Sequence, residues 1–242
     1  MRNLDAEAQN QPESLYQHKI DLFVRERLID RFKPYVLSAP SKSLEIGSFE
    51  GDMTAMLIRE FGNLEVLEGS TELANKIADK FKDNVVVHEG YLESFEPKEF
   101  YDNIYLIHTL EHLNDPVQGL LRLKSWLKPT GRIFLAVPNA HALSRRIAVE
   151  MGVVEHLSVV TPTEAKFGHI HTFSLDSLKK VIKGANLQII TFGGVLVKTL
   201  ANYQFDKALL YDVITNEYLV AADSLSTEFP DLCSSIYAVV SQ

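Results

Sequence analysis

The chain has 242 residues, of which 46% are apolar, a net charge of −8 and a single cysteine, Cys233. This acidic balance, in which Arg145-Arg146 is the nearest approach to a basic cluster, excludes a groove for a nucleic-acid backbone, and one cysteine excludes an internal disulfide. The sequence contains no apolar run of about 18 residues that would span a membrane, and residues 1–12 lack the apolar stretch of a signal peptide, so we expect a cytoplasmic protein with neither nucleic acid nor membrane as a partner.

The first part of the chain predicts a helix, a strand and a second helix. Residues 1–12 are polar and are predicted to be disordered, whereas apolar residues at helical spacing predict a helix over 13–35. The first strand is predicted at 42–46. Asp52 is the predicted N-cap of the next helix, which Gly62 ends.

Strands and helices continue to alternate to the end of the chain. Further strands are predicted at 64–67, 85–87, 102–107, 133–137, 187–192 and 236–240. Helices are predicted to begin at four capping residues, Ser70, Asp115, Asn139 and Ser174. Residues 128–131 are a predicted turn, and 202–223 are predicted to form one long helix with a wide apolar face. This alternation indicates an α/β fold with a parallel sheet and helices on both faces.

The most informative stretch is 43–52, with the sequence Ser-Leu-Glu-Ile-Gly-Ser-Phe-Glu-Gly-Asp. A strand is followed there by a tight turn and the start of a helix. Gly47 and Gly51 allow a ligand to approach the backbone closely. Glu68 ends the next strand, where an acid can accept hydrogen bonds from both hydroxyls of a ribose. Together these residues predict a nucleoside-containing cofactor at the carboxyl edge of the sheet.

The turn favours a cofactor without a diphosphate. A dinucleotide requires G-x-G-x-x-G, but the second and third positions counted from Gly47 are Phe49 and Asp52. Asp52 at the start of a helix would repel a diphosphate. S-adenosylmethionine has no phosphate, and Glu45 can help to orient its ammonium group. A dinucleotide oxidoreductase is therefore the least favoured interpretation.

Residues 44–51 resemble the first motif of the class I S-adenosylmethionine-dependent methyltransferases, acid-x-Gly-x-Gly-x-Gly, with Phe49 in place of the middle glycine. Residues 108–116, His-Thr-Leu-Glu-His-Leu-Asn-Asp-Pro, are similar to the motif after the fourth strand in the ubiquinone-biosynthesis O-methyltransferase subgroup. Residues 127–132 resemble the segment that leads into the family's fifth strand. The resemblance covers residues 40–195 and the final strand.

The resemblance implies a Rossmann-like three-layer sandwich with a seven-stranded, mostly parallel sheet in the order 3-2-1-4-5-7-6. Acceptor-side segments are predicted at 139–172 and 195–230, and the helical insertion before the last strand lies outside the resemblance. The resemblance implies a single methyltransferase domain, predicted over 1–242, with an N-terminal helical cap (1–40). It also implies S-adenosylmethionine as the cofactor. The predicted cofactor-binding residues are Glu45, Gly47, Ser48, Gly51, Glu68, Gly69, Tyr91, Leu92 and His108.

The implied reaction is an in-line displacement at a sulfonium methyl group. Holding the nucleophile and the methyl carbon about 3–3.5 Å apart contributes much of the catalysis. A hydroxyl acceptor also needs a base, which contributes roughly 10²–10⁴-fold, and histidine suits that role near neutral pH. The candidate catalytic residues are His112, His169 and His141, with His112 next to the expected methyl position. Ligation of a divalent metal by His108, Glu111 and His112 remains an alternative, but no metal is predicted.

The leading prediction is methyl transfer to a small-molecule acceptor, with a hydroxyl oxygen favoured. One alternative is an N-methyltransferase that acts on an amino sugar or an amine. Another is a non-catalytic cofactor-binding or scaffold protein. The apolar face of the 195–230 insertion is predicted either to shape the acceptor pocket or to form a homodimer interface.

Overall fold

The structure, a computed structural model, describes residues 4–5, 15–38 and 40–242, and leaves out the side chains of residues 15–19, 202, 203 and 206. The predicted disorder of residues 1–12 lies outside this part of the chain except at Leu4 and Asp5, which are helical. The strands are β1 Ser43–Ile46, β2 Leu64–Glu68, β3 Val85–Glu89, β4 Tyr101–Ile107, β5 Leu127–Pro138, β6 Gln188–Val197 and β7 Cys233–Ser241.

The strands form one sheet of seven in the order β3-β2-β1-β4-β5-β7-β6. The pairs among β1 to β5 are parallel, and β7 runs antiparallel to both β5 and β6. This arrangement confirms the predicted fold class and strand order. Because parallel strands end at one edge of a sheet, the loops after β1, β2, β3, β4 and β5 come together there.

Helices cover both faces of the sheet. They are α1 Leu15–Phe32, α2 Asp52–Phe61, α3 Thr71–Phe81, α4 Pro116–Ser125, α5 Leu143–Glu150, α6 Pro162–Lys166, α7 Leu175–Gly184, α8 Asn202–Leu210 and α9 Asn216–Ser224. The predicted caps Ser70, Asp115 and Ser174 are confirmed, because each side chain accepts hydrogen bonds from the first turn of its helix.

Two predicted caps are wrong. Gly51, with a φ of 83°, is the N-cap of α2, and Asp52 is the first helical residue. Asn139 does not cap α5, which begins after Ala142. Its side-chain amide instead donates hydrogen bonds to the carbonyl oxygens of Asp231 and Cys233. These bonds tie the end of β5 to the start of β7. The oxygen that would have capped a helix accepts a 2.9 Å hydrogen bond from the N–H of His141, ahead of α5.

The predicted long helix over 202–223 is two helices, α8 and α9. Asp212 takes a φ of 52°, and the N–H of Val213 bonds to the carbonyl of Ala208, which closes α8. The Thr215 side chain then accepts a hydrogen bond from the N–H of Tyr218 and starts α9. As a result Val213, which would belong to the apolar face of the predicted long helix, is 73% exposed.

Two other elements differ from their predicted bounds. The predicted turn at 128–131 is an irregularity within β5, because Leu127 and Arg132 both pair with β4, opposite Tyr101 and Asn103. β6 continues past the predicted end at 192 to Val197, and α6 lies in a stretch for which the sequence predicted no helix or strand. The antiparallel partner β7 extends β6, because it supplies backbone partners along its whole length.

The core lies in two layers, one on each face of the sheet. β4 shows the division, since Ile104 and Leu106 face the α4 and α7 side, while Tyr105 and Ile107 face the α1 and α2 side. Full burial of one such side chain stabilises the fold by about 1.5–3 kcal/mol. Within the described residues, no helix combines the length and the apolar character that crossing a membrane requires.

Candidate active site

A cavity of about 1160 Å³ opens at the carboxyl edge of the sheet. Its floor is made by loops that follow parallel strands, and its roof by α1 and by the 139–169 segment. This volume is above the roughly 300–1,000 Å³ of a typical small-molecule site, so it can hold a cofactor and an acceptor side by side. The predicted site residues that line it are Gly47, Glu68, Gly69, Tyr91, Leu92, His108, His112 and His169.

The loop after β1 has the backbone of a glycine loop throughout. Gly47, Phe49 and Gly51 take φ angles of 73°, 50° and 83°. A Cβ on Gly47 would lie 2.8 Å from the Thr109 hydroxyl oxygen, so the close approach of this loop to β4 requires glycine. Phe49 takes the left-handed conformation despite its side chain, which lines the cavity and is 37% exposed. The loop therefore keeps its shape without the middle glycine.

Glu68 holds this loop against the end of β2. Its Oε2 accepts hydrogen bonds from the backbone N–H groups of Ser48 and Phe49, at 3.0 and 3.2 Å, and from the Ser48 hydroxyl. Its Oε1 accepts one from the Ser70 N–H at 3.0 Å. Because a carboxylate oxygen has two lone pairs, Oε1 retains acceptor capacity toward the cavity.

Three predicted cofactor-binding residues lie behind the loop and do not line the cavity. Glu45 is buried, and its carboxylate accepts a 2.6 Å hydrogen bond from the Thr54 hydroxyl. Burial raises the pKa of Glu45 to about 7. Ser48 is bonded to Glu68, and Gly51 packs under α3, so the contacts predicted for these three residues with a cofactor stay predictions.

The outer end of the cavity lies over β2 and β3. Gly69, Tyr91 and Leu92 line it, and Leu4 reaches the same region. A Cβ on Gly69 would lie 2.4 Å from the Leu4 side chain. The Ser70 hydroxyl donates a hydrogen bond to Asp5. Leu4 therefore forms part of the cavity wall beside Gly69 and Tyr91.

His108, directly after β4, is half-buried in the cavity wall and takes a φ of 51°. Its Nε2 lies 3.2 Å from the Ser235 hydroxyl oxygen. Burial, with the positive charge of Arg25 nearby, lowers the pKa of His108 to about 3. This imidazole therefore stays neutral at physiological pH and is a poor proton acceptor.

Glu111 is the centre of a compact group with His112 and His169. Its side chain is 1% exposed, and neither carboxylate oxygen has a hydrogen-bond partner among the described residues. The Nε2 atoms of His112 and His169 lie 4.0 and 3.9 Å from Oε1 of Glu111. Burial raises the pKa of Glu111 to about 8. One ligand atom from each of the three residues falls within a 4.8 Å span, which is close enough to hold a metal ion.

The backbone brings His169 to this group from a distant part of the sequence. The N–H groups of Ile170 and His171 both donate hydrogen bonds to the carbonyl oxygen of Glu111, at 3.0 and 3.1 Å. Nδ1 of His112 lies 3.2 Å from the carbonyl oxygen of Gly168. A carbonyl oxygen only accepts, so Nδ1 carries the proton and the lone pair of His112 is on Nε2.

His141, the third predicted catalytic histidine, does not line the cavity. Its Nδ1 lies 3.3 Å from a carboxylate oxygen of Asp231, which also accepts a hydrogen bond from Arg146. Arg145 binds Glu164 at 2.6 Å and holds α5 against α6. The structure thus brings His112 and His169 together. His141, just before α5, contacts Asp231, just before β7, and lies apart from them.

The sequence interpretation missed two cationic side chains in the cavity wall, Arg25 of α1 and Lys198 after β6. Among the described residues, Arg25 forms no hydrogen bond or ion pair. Burial lowers the pKa of Lys198 to about 8, and its Nζ donates a hydrogen bond to the Leu200 carbonyl. Arg25 could have been found from its place one residue after Val24, on the edge of the apolar stripe of α1. Nothing local marks Lys198.

Comparison with known proteins finds one matching family model and many solved structures of similar fold. A family model described as "Methyltransferase domain" matches residues 16–191. A search of curated proteins finds no significant match.

Three solved structures illustrate the likeness in fold. A Haloferax volcanii methyltransferase, solved with the Trm112 activator, shares 12% identity and covers 99% of this chain and 95% of its own, with a TM-score of 0.63. An S-adenosylmethionine-dependent methyltransferase from Mesorhizobium loti shares 11% identity over 90% of this chain and 98% of its own, with a TM-score of 0.61. The plantazolicin methyltransferase BpumL, in complex with SAH, shares 16% identity over 98% and 93%, with a TM-score of 0.61. At these identities the likeness concerns the fold.

Proposed function

Because the chain belongs to the methyltransferase-domain family, we propose that it transfers a methyl group from S-adenosylmethionine to a hydroxyl oxygen of a small molecule bound in the 1160 Å³ cavity. One observation carries this proposal. The glycine loop with Glu68 and the buried group of Glu111, His112 and His169 open into the same cavity, so a methyl donor and a site for removing a proton lie side by side.

The cofactor half of the cavity fits S-adenosylmethionine. This cofactor supplies an electrophilic methyl group on a positively charged sulfur. Oε1 of Glu68 can accept a ribose hydroxyl, and Gly47 and Gly69 leave space that a side chain would fill. Asp52, in the first turn of α2, places a carboxylate where a dinucleotide would need its diphosphate. A structure of similar fold, BpumL, was solved with SAH.

Both segments that the sequence predicted on the acceptor side contribute residues to the cavity wall, which supports an acceptor half there. The 139–172 segment contributes Arg145 and Phe167, and the 195–230 segment contributes Lys198 and Ala201. We infer that the hydroxyl loses its proton at the group formed by Glu111, His112 and His169. The low pKa of His108 makes it a poor proton acceptor, and His141 lies outside the cavity.

The charge of the acceptor half supports an anionic acceptor. Arg25 lines the cavity, and its positive charge acts on the carboxyl of Glu111, which places it near the proposed acceptor. A guanidinium in a cavity wall matches carboxylate and phosphate groups. A hydroxylated molecule that also carries such a group is therefore the acceptor class that we infer.

A second candidate is methylation of an amine nitrogen. The observation in its favour is the buried Glu111 carboxyl, which attracts an ammonium group when it is ionised. A hydroxyl is preferred because two imidazoles converge on the same point, and imidazole is suited to taking a proton near neutral pH.

The 195–230 insertion also remains a predicted homodimer surface. α8, α9 and the connection between them expose apolar side chains, namely Leu210, Tyr211, Val213, Tyr218 and Val220. The buried start of the insertion, at Phe205, packs against the α1 side of the core. Light scattering on the purified protein distinguishes a dimer from a monomer.

Calorimetry and turnover test the proposed function. Titration with S-adenosylhomocysteine is expected to give one site per chain, and titration with NAD none. Incubation with labelled S-adenosylmethionine and a panel of hydroxylated acids and sugar phosphates is expected to label one acceptor class. Lack of S-adenosylhomocysteine binding at sub-millimolar concentration would overturn the proposal. Binding without turnover of any acceptor would favour a scaffold protein.

A further inference from the structure

The carboxylate of Glu111 lacks the partners that a buried carboxylate requires. It is 1% exposed, and both of its oxygens are without a hydrogen bond among the described residues. Burial of an ionised carboxylate is costly unless a cation or hydrogen-bond donors compensate it. An unpaired buried carboxylate beside a ligand cavity therefore indicates that a cationic partner completes the site.

The two neighbouring histidines have the geometry of ligands. The Nε2 atoms of His112 and His169 lie 4.0 and 3.9 Å from one oxygen of Glu111, which is too long for a hydrogen bond. Both distances are shorter than twice the length of a metal–ligand bond, which is about 2.1 Å. One cation placed between the three side chains can therefore contact all of them after a small inward movement.

The surroundings of His112 match those of metal-binding histidines. Its Nδ1–H donates to the carbonyl of Gly168, and its Nε2 lies 4.0 Å from Oε1 of Glu111. A ligating imidazole usually donates its other N–H to a carbonyl or carboxylate, and this bond fixes the tautomer and the ring orientation.

The backbone holds the two ligand-bearing segments together. Ile170 and His171 both bond to the carbonyl oxygen of Glu111, so the loop that carries His169 is fixed to the residue that carries the carboxylate. The ligands are thus arranged in advance of binding, which lowers the entropic cost of holding a cation.

We propose that Glu111, His112 and His169 form a binding site for one divalent first-row transition cation. Two imidazoles and one carboxylate suit Zn²⁺, Mn²⁺ or Fe²⁺ better than Mg²⁺, which prefers oxygen ligands. Three protein ligands leave coordination positions open toward the cavity. His108, the ligand that the spacing of the sequence suggested, is turned toward Ser235, and His169 takes its place.

Such a site deepens the proposed function and rests on it for its role in the reaction. The open positions would take oxygen atoms of the acceptor, and a nearby cation lowers the pKa of a bound hydroxyl. The hydroxyl proton passes to water, the oxygen forms its bond to the methyl carbon, and the carbon–sulfur bond breaks with its electron pair on sulfur. The two histidines then act as ligands, and neither has to act as the base.

Calorimetry of the full chain with metal salts tests the site without any methyl donor. The protein is first stripped with a chelator and then titrated with ZnCl₂ and with MnCl₂. We expect one site per chain. His169→Ala and Glu111→Gln should each weaken binding by at least about tenfold, the lower end of the loss seen even for partners outside the ligand set. His156→Ala, which changes an exposed histidine outside the cavity wall, should bind metal like the wild type.

Thermal unfolding shows whether each variant is folded, so that a loss of metal binding is not confused with a loss of structure. Glu111→Gln replaces a buried carboxyl that no described residue hydrogen-bonds with a neutral amide of the same shape, so without metal it should unfold close to the wild-type temperature. Added Zn²⁺ should raise the midpoint of the wild type and leave that of Glu111→Gln unchanged. Unchanged metal affinity in both His169→Ala and Glu111→Gln overturns the proposal.

Failure of the metal site and failure of the proposed function give different results. Methyl transfer that continues at full rate after chelation overturns the role of the cation in the reaction and leaves the methyltransferase activity standing. Metal binding lost with His169→Ala, in a protein that methylates no acceptor, supports the site and counts against the proposed reaction.

Discussion

The carboxylate of Glu68 accepts hydrogen bonds from both the backbone N–H and the hydroxyl of Ser48, at 3.0 and 3.2 Å. The residue predicted to bind the ribose therefore also holds the glycine loop in place. Loss of this carboxylate should affect the cofactor in two ways, through the direct contact and through the shape of the loop.

Glu68→Gln is expected to weaken S-adenosylhomocysteine binding by about tenfold or more, because hydrogen bonds to a charged group contribute about 1.5–3 kcal/mol. Calorimetry measures the affinity. Glu89→Gln is the matched control, since Glu89 ends the neighbouring strand, accepts a bond from Thr71 and does not line the cavity. Equal affinities in the wild type and Glu68→Gln would remove Glu68 from the cofactor site.

Phe49→Gly is expected to leave the free energy of unfolding unchanged or to raise it by up to about 1 kcal/mol, because a side chain at a φ of 50° is strained and glycine is not. Phe49→Val should lower the free energy of unfolding, since a β-branched residue tolerates this conformation least. Urea denaturation distinguishes the two. A Phe49→Gly variant less stable than Phe49→Val would contradict this account of the loop.

The raised pKa of Glu45 predicts that the free energy of unfolding falls as the pH rises. Burial raises the pKa of this carboxyl in the folded chain from 4.5 to about 7, so the folded state binds the proton more tightly than the unfolded state. The resulting stabilisation is complete below about pH 4.5 and is lost as the pH approaches 7. Its size is of the order of 1–3 kcal/mol.

Glu45→Gln should remove this contribution, because glutamine cannot ionise and still accepts the Thr54 hydroxyl bond. Urea denaturation at several values between pH 5 and 8 should give a flatter profile for the variant than for the wild type. Two parallel profiles would show that Glu45 keeps its charge in the folded chain.

Arg25→Gln is expected to raise the KM for an anionic acceptor by about tenfold or more, because it removes a charged partner in a partly desolvated cavity. S-adenosylhomocysteine affinity should stay the same, since Arg25 lies on the acceptor side. Steady-state kinetics and calorimetry separate the two effects. Arg27→Gln is the control, because Arg27 pairs with Asp30 on the same helix and does not line the cavity. A KM unchanged in Arg25→Gln would exclude Arg25 from acceptor binding.

The sequence by itself determined the features that depend on near neighbours along the chain. The order of strands and helices, the caps Ser70, Asp115 and Ser174 and the glycine turn at Gly47 were all predictable. Each depends on hydrogen bonds, apolar spacing or φ angles within a few residues. The strand order followed from the family resemblance that these local motifs carry.

Only the tertiary structure decided the features in which distant groups compete for one side chain. Asn139 was available as a cap by its local pattern, but carbonyls of the β7 lead-in bind its amide. His169 joins Glu111 because the backbone of 170–171 bonds to the Glu111 carbonyl. The two partners of each bond are far apart in sequence, so the local sequence pattern does not show which group a side chain or backbone carbonyl will bind.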